Sequence, residues 1–159
     1  MFVNADQLAR QMDMDAYAAA AAADGIRREL ARHRESFIFE TVFSDPVAEK
    51  VQFLVEMEKV GYAVVLCFIG VATAEISEQR VSMRVSKGGH DVPSDKLVAR
   101  HPRTLENLRI AIQLLPEVWI YDNDDLATPY RLVARYEKGR ALNLAKPIPK
   151  WLRPLLPKR

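Results

Sequence analysis

The chain has 159 residues, 49% of them apolar and 28% charged, with a net charge of +2. That balance suits one globular domain with a real core and gives no electrostatic case for nucleic acid or a membrane surface. No stretch is long and apolar enough to span a bilayer, and the single Cys67 cannot form an internal disulfide, so a reducing cytoplasm is the expected compartment.

The opening FVNAD reads as a short strand ending in polar residues, and Asn4, Asp6 and Gln7 interrupt any signal-peptide core. A helix is expected from about Asp13 to Arg34, with Ile26 and Leu30 on one face. SFIFETVF is a second strand, rich in aromatic and branched residues. In the SDP that follows, Ser44 or Asp45 can cap a helix whose stripe is Val47, Val51, Leu54 and Val55, with Gly61 at its end. YAVVLCFIGV is a continuous apolar run, the pattern of a strand buried on both faces. Thr73 can cap the next helix, which runs to about Lys87, and KGGHDVP is a loop. Leu105, Leu108, Ile112 and Leu115 mark another helix, EVWIYDND a fourth strand and YRLVARYE a fifth at an edge.

This β-α-β-α-β-α-α-β order predicts an α/β fold, a mostly parallel sheet with helices on both faces. The main body is expected over residues 1–140. Residues 141–159 read as a proline-rich basic arm, with four of the nine prolines and five basic residues after Asn143.

Ligands of open α/β sheets gather at the carboxyl ends of strands. Asp6 lies at such an end, where a carboxylate can act as a base or bind Mg²⁺, or can simply cap the helix that follows, which is the commoner role. Glu40 follows three apolar residues at another strand end. It can bond a substrate hydroxyl, with Thr41 or Ser44 beside it, or emerge into solvent. Arg80, Arg84 and Lys87 share a helix face that leads into KGGHDVP, and Arg100 and Arg103 follow. Such a stripe is most often a solvated surface, but cations around a flexible loop can also clamp a polyphosphate. His90 and His101 form no metal motif, and no residues are expected to hold a metal. Nucleic-acid binding is the weakest reading, because no aromatic residues interleave with the basic ones on that helix face.

The series FVNAD, ESFIFETVFS, RVSMRVSKGGHDVP, ARHPRTLENL and WIYDN, over roughly residues 2 to 125, resembles the zeta-toxin-like P-loop kinases. The resemblance implies transfer of a phosphoryl group from ATP, with Mg²⁺, to a small hydroxyl compound such as UDP-N-acetylglucosamine. It also implies, for toxin members, a partner antitoxin. It gives Asp6 the role of base, Glu40 and Thr41 that of substrate contacts, and Arg84 with Arg100 or Arg103 that of phosphate ligands, with Arg80 assisting. In that family FVNAD is preceded by a strand and a G-x-x-x-x-G-K-[ST] loop. None of the six glycines here belongs to such a loop. The resemblance therefore implies a chain truncated at its N-terminus and impaired or inactive, or else a non-catalytic remnant that binds a nucleotide sugar or a partner. The absent strand would lie between those matching SFIFETVF and YAVVLCFIGV. These two are then expected to close up and pair, or to take in another segment, or to leave the chain poorly stable.

Overall fold

The computed structural model describes residues 1–85 and 94–156. They divide into two compact units, Met1–Val42 and Phe43–Arg159.

The first unit contains β1 (Phe2–Val3), α1 (Ala5–Met12), α2 (Ala16–Arg32) and β2 (Ile38–Phe39). The two strands pair in parallel, Phe2 beside Ile38 and Val3 beside Phe39. One helix was expected here from Asp13; two are found. Asn4 opens α1 by accepting from the Gln7 N–H at 3.0 Å, so the cap is Asn4 and not Asp6, which sits exposed in the first turn. The chain reverses at Asp13, whose φ of 50° is left-handed. Asp15 then caps α2 through the N–H groups of Tyr17 and Ala18. The alanine run explains the packing that follows. Ala19 and Ala23 of α2 and Ala9 of α1 are buried, and small side chains let two helices approach closely. Arg27 is buried as well, which a charge tolerates only when paired. It bonds Asp24 at 2.8 Å and lies 4.9 Å from the centre of the Phe39 ring.

The second unit contains α3 (Glu49–Lys59), β3 (Val65–Gly70), α4 (Ala74–Val85), α5 (Ser94–Leu114), β4 (Glu117–Asp122), β5 (Arg131–Glu137) and β6 (Arg140–Leu144). Thr73 Oγ1 accepts from the Ile76 N–H, as its position before a helical stripe predicts. α3 starts later than expected. Its N-cap is Ala48, with a left-handed φ of 53° and no side-chain cap, rather than Ser44 or Asp45, and Val47 of the expected stripe is exposed. Asp45 instead accepts from the Glu49 N–H from the turn before the helix. The apolar stripe of α5 also holds: Leu108, Ile112 and Leu115 are fully buried, as are Val118 and Ile120 of β4 and Ala134 of β5.

The sheet departs from expectation in three respects. Its order is β3-β4-β5-β6, with only β3–β4 parallel, so it is mixed rather than mostly parallel. The hairpin-like turns after β4 and β5 are too short for the crossover that a parallel neighbour needs. β5 is therefore internal rather than an edge, and Arg140–Leu144, all but its first residue inside the segment read as an arm, supplies the edge strand β6. Nor is β3 covered on both faces. Phe68 and Gly70 are buried, while Val65, Cys67 and Ile69 on the other face are exposed. The expected closing-up is not found: among the described residues β2 pairs with β1 alone and β3 with β4 alone.

After β6 the chain returns to the sheet. Trp151 is buried, its ring 6.3 Å from that of Phe68, and its indole N–H donates to Asp122 Oδ1 at 3.0 Å. Gly70 makes this possible, since a Cβ there would stand 2.3 Å from the Trp151 ring. Gly70→Ala should therefore lower stability by about 1–3 kcal/mol through overpacking. In a Trp119→Phe background it should also shift the emission of Trp151 to the red. Unchanged urea unfolding and emission would show that the arm does not rest on Gly70.

Candidate functional site

Parallel pairing brings the carboxyl ends of neighbouring strands to one edge, and each unit has such an edge. In the first, β1 leads into Asn4 and Asp6, and β2 into Glu40 and Thr41. The Asn4 side-chain amide donates to Glu40 Oε2 at 2.6 Å while its carbonyl caps α1. Asn4 thus fixes both the helix that carries Asp6 and the carboxylate of Glu40. Asp6, Glu40 and Thr41 are all exposed. A hollow of about 160 Å³ opens beside Asn4, bounded by Phe2, Leu8 and Ile26 among others, and neither Asp6 nor Glu40 lines it.

In the second unit the loops after β3 and β4 are tied together. Asn123 N donates to Gly70 O at 2.9 Å, and Ala72 N donates to Asp124 Oδ1 at 2.7 Å. Arg80, midway along α4, donates from Nη2 to the carbonyls of Asn123 (2.7 Å) and Asp124 (2.8 Å). Its Nε is buried and has no partner among the described residues. His101 lies 3.1 Å from Val71 O through Nε2, which must donate because a carbonyl only accepts. Asp122 is held from both sides, by Trp151 and by Arg131 at 3.1 Å.

The other predicted cations lie on α4 and α5. Arg84 is in the last turn of α4. Its side chain, like Lys87, His90 and the whole KGGHDVP loop, lies outside the described residues. Arg100 is half-buried on α5, and Arg103 is exposed, its Nε donating to Ala99 O at 3.1 Å. The structure therefore groups Asp6, Glu40 and Thr41 within one unit, and Arg80, Arg84, Arg100 and Arg103 on two helices of the other.

The carboxylates displaced in titration are those with local hydrogen-bond or ion-pair partners. Glu117, at the start of β4, is held below the usual carboxylate range by the Trp119 indole N–H and then by Arg135. Asp125 is lowered by the Ala127 N–H and the Thr128 hydroxyl, and Glu75 chiefly by the Thr73 hydroxyl. Burial and the nearby Glu117 charge push the Cys67 thiol up, which leaves it a poor nucleophile.

Sequence reasoning passed over Asn4, although an asparagine directly after a strand and before a helix is a recognisable cap. It also passed over Asn107, which is buried and bonds the carbonyls of Phe43 (3.2 Å) and Asp45 (2.9 Å), holding the turn before α3 against α5. No local pattern marks that role.

The Zeta toxin family model matches residues 7–132, well over half of the chain. The chain belongs to the Zeta toxin family. Comparison with curated proteins and with solved structures gives no match. Among the described residues no helix is long and apolar enough to cross a membrane, and no group of three or more His, Cys, Asp and Glu gathers as a metal site.

Asn4→Ala removes a cap and the Glu40 tether together and should cost about 0.5–2 kcal/mol in thermal unfolding. Asn4→Ser should recover most of that stability while leaving Glu40 untethered. Equal loss in both variants would mean that the cap is not what Asn4 contributes.

Proposed function

We propose that this Zeta toxin family member binds a small hydroxyl-bearing substrate, a UDP-N-acetyl sugar such as UDP-N-acetylglucosamine, with Asp6 as the base and Glu40 and Thr41 as substrate contacts. The observation that carries this reading is the Asn4–Glu40 bond across the paired ends of β1 and β2, which presents two carboxylates at one strand edge. Asp6 Oδ takes the proton from the sugar hydroxyl, and Glu40 orients that hydroxyl. Arg84, Arg100 and Arg103 bind phosphate oxygens, with Arg80 in support through the loops it ties. The body over residues 1–140 carries this work; of the segment 141–159, the part through Leu144 belongs to the sheet as β6 and Trp151 packs on Phe68. The working compartment is the cytoplasm, and an antitoxin protein is the macromolecular partner.

The family reaction takes its phosphoryl group from ATP with Mg²⁺. This sequence contains no G-x-x-x-x-G-K-[ST] loop, and among the described residues no three or more His, Cys, Asp and Glu gather as a metal site. Without that loop's lysine and backbone N–H groups these residues alone lack the cradle that would hold Mg²⁺–ATP, and on this reading transfer by them is impaired or absent. The same observation favours a second reading, a non-catalytic protein that holds a nucleotide sugar or a partner.

Calorimetric titration with UDP-N-acetylglucosamine should give binding that weakens about tenfold in Glu40→Gln, the loss of roughly one charged hydrogen bond. Labelled ATP and Mg²⁺ should give no robust phosphorylation. Absence of binding, or equal binding by the variant, contradicts the substrate assignment. Rapid turnover contradicts the impairment.

A further inference from the structure

α5 is anchored along one part of its length and lightly held along the other, and Pro102 stands at the join. Beyond the proline, Leu108, Ala111 and Ile112 are fully buried, and Asn107 bonds the carbonyls of Phe43 and Asp45. Before it, Val98 is 57% exposed, Ala99 is exposed and Arg100 is half-buried. Proline is out of place in a helix interior. It has no N–H to give the carbonyl four residues back, here Val98 O, and its ring crowds that carbonyl. The next two carbonyls take side-chain donors. Arg103 Nε donates to Ala99 O at 3.1 Å, and Thr104 Oγ1 donates to Arg100 O at 3.0 Å. A hydroxyl bonded back in this way slightly destabilises a helix and often bends it. Three successive carbonyls, Val98 to Arg100, thus depart from the plain helical pattern at one place.

The end before the proline, Ser94–His101, is two helical turns, about 12 Å at the usual rise per residue. Among the described residues, the bond that fastens it towards the sheet is that from His101 Nε2 to Val71 O at 3.1 Å. Breaking this bond leaves the core face of α5 untouched, since Asn107, Leu108 and Ile112 all lie beyond the proline. Arg100 stands before the weak point and Arg103 just after it, so a turn there changes the separation of the two guanidiniums.

We infer that α5 is hinged at Pro102 and that Ser94–His101, latched to Val71 by His101, is the part that turns, carrying Arg100 with it relative to Arg103. A hinge concentrates motion in a few residues and leaves the packed part of an element in place. Two guanidiniums on opposite sides of it can close together on one phosphate, and a ligand that binds the closed arrangement better shifts the population towards it. That use of the hinge rests on the phosphate roles proposed above; the hinge itself does not.

Amide exchange of the full chain, followed by NMR, decides the question. The amides of Val98, Ala99, Arg100 and His101 should open independently of those of Leu108, Ala111 and Ile112 and exchange about a hundredfold faster. Pro102→Ala restores a donor to Val98 O. It should slow the four amides about tenfold, the worth of roughly one backbone hydrogen bond, and leave the other three unchanged. His101→Ala removes the latch and should speed the amides of Val98, Ala99 and Arg100 by a similar factor. One common rate along α5 in the wild type, or four amides unmoved by Pro102→Ala, would overturn the hinge, and neither result depends on the His101 variant folding. Saturating inorganic pyrophosphate should slow the same four amides in the wild type and not in Arg100→Ala. Pyrophosphate that binds by calorimetry yet leaves them unmoved overturns the closing of the hinge on phosphate. Absence of any binding heat contradicts the phosphate roles of Arg100 and Arg103 instead, while the Pro102 variant still decides the hinge.

Discussion

The parallel alignment of β3 with β4 is the constraint on which the second unit depends. It sets the loops at Gly70–Thr73 and Asp122–Asp125 side by side, and every tie between them follows from that neighbourhood. Asn123 extends the ladder by one bond beyond the strands. Asp124 then caps Ala72, and Arg80 closes the pair from α4. Hydrogen bonds of this kind each contribute about 1 kcal/mol net, but breaking one member leaves carbonyls and an amide half-buried without partners. The loops are therefore expected to hold or release together. Trp151 covers the same end of β3, so the C-terminal segment completes this edge.

The first unit repeats the device at a smaller scale. Two residues per strand make a minimal parallel ladder, which alone would be marginal. Its support comes from the alanine contact between α1 and α2 and from Arg27, whose charge is met by Asp24 and whose face lies over Phe39 of β2. Asn4 then links the strand end to both α1 and Glu40. In each unit one polar side chain ties neighbouring strand ends, the Asn4 amide in the first and the Arg80 guanidinium in the second.

The parts legible in the sequence were those set by local pattern. Thr73 sits just before a helical stripe, and its bond to the Ile76 N–H follows from position alone. The burial of Leu108, Ile112 and Leu115 follows from their spacing. The alternation of strands and helices was legible in outline for the same reason, but not the split of the first helix into α1 and α2 nor the last strand. What could not be read depends on pairing over long separations. The bond from Asn4 to Glu40 spans 36 residues and that from Asn107 to Phe43 spans 64. β3 reads as a doubly covered strand because its residues are uniformly apolar, yet composition cannot say how many neighbours such a strand has. β6 was hidden because RALNL lacks the branched and aromatic residues that mark strands, and it pairs by following a tight turn at Gly139, whose φ is 79°. The family resemblance, drawn from motif order, agrees with the match over residues 7–132.

The account rests on the loops after β3 and β4 being held in place without a ligand. Amide exchange followed by NMR measures this directly at Ala72 and Asn123. Both amides should be protected to a similar degree in the wild-type chain, and both should lose protection in Arg80→Ala while the β3–β4 ladder at Phe68 and Ile120 keeps it. Exchange of Ala72 and Asn123 at open-loop rates in the wild type would contradict a preorganised edge, as would protection that survives the loss of Arg80.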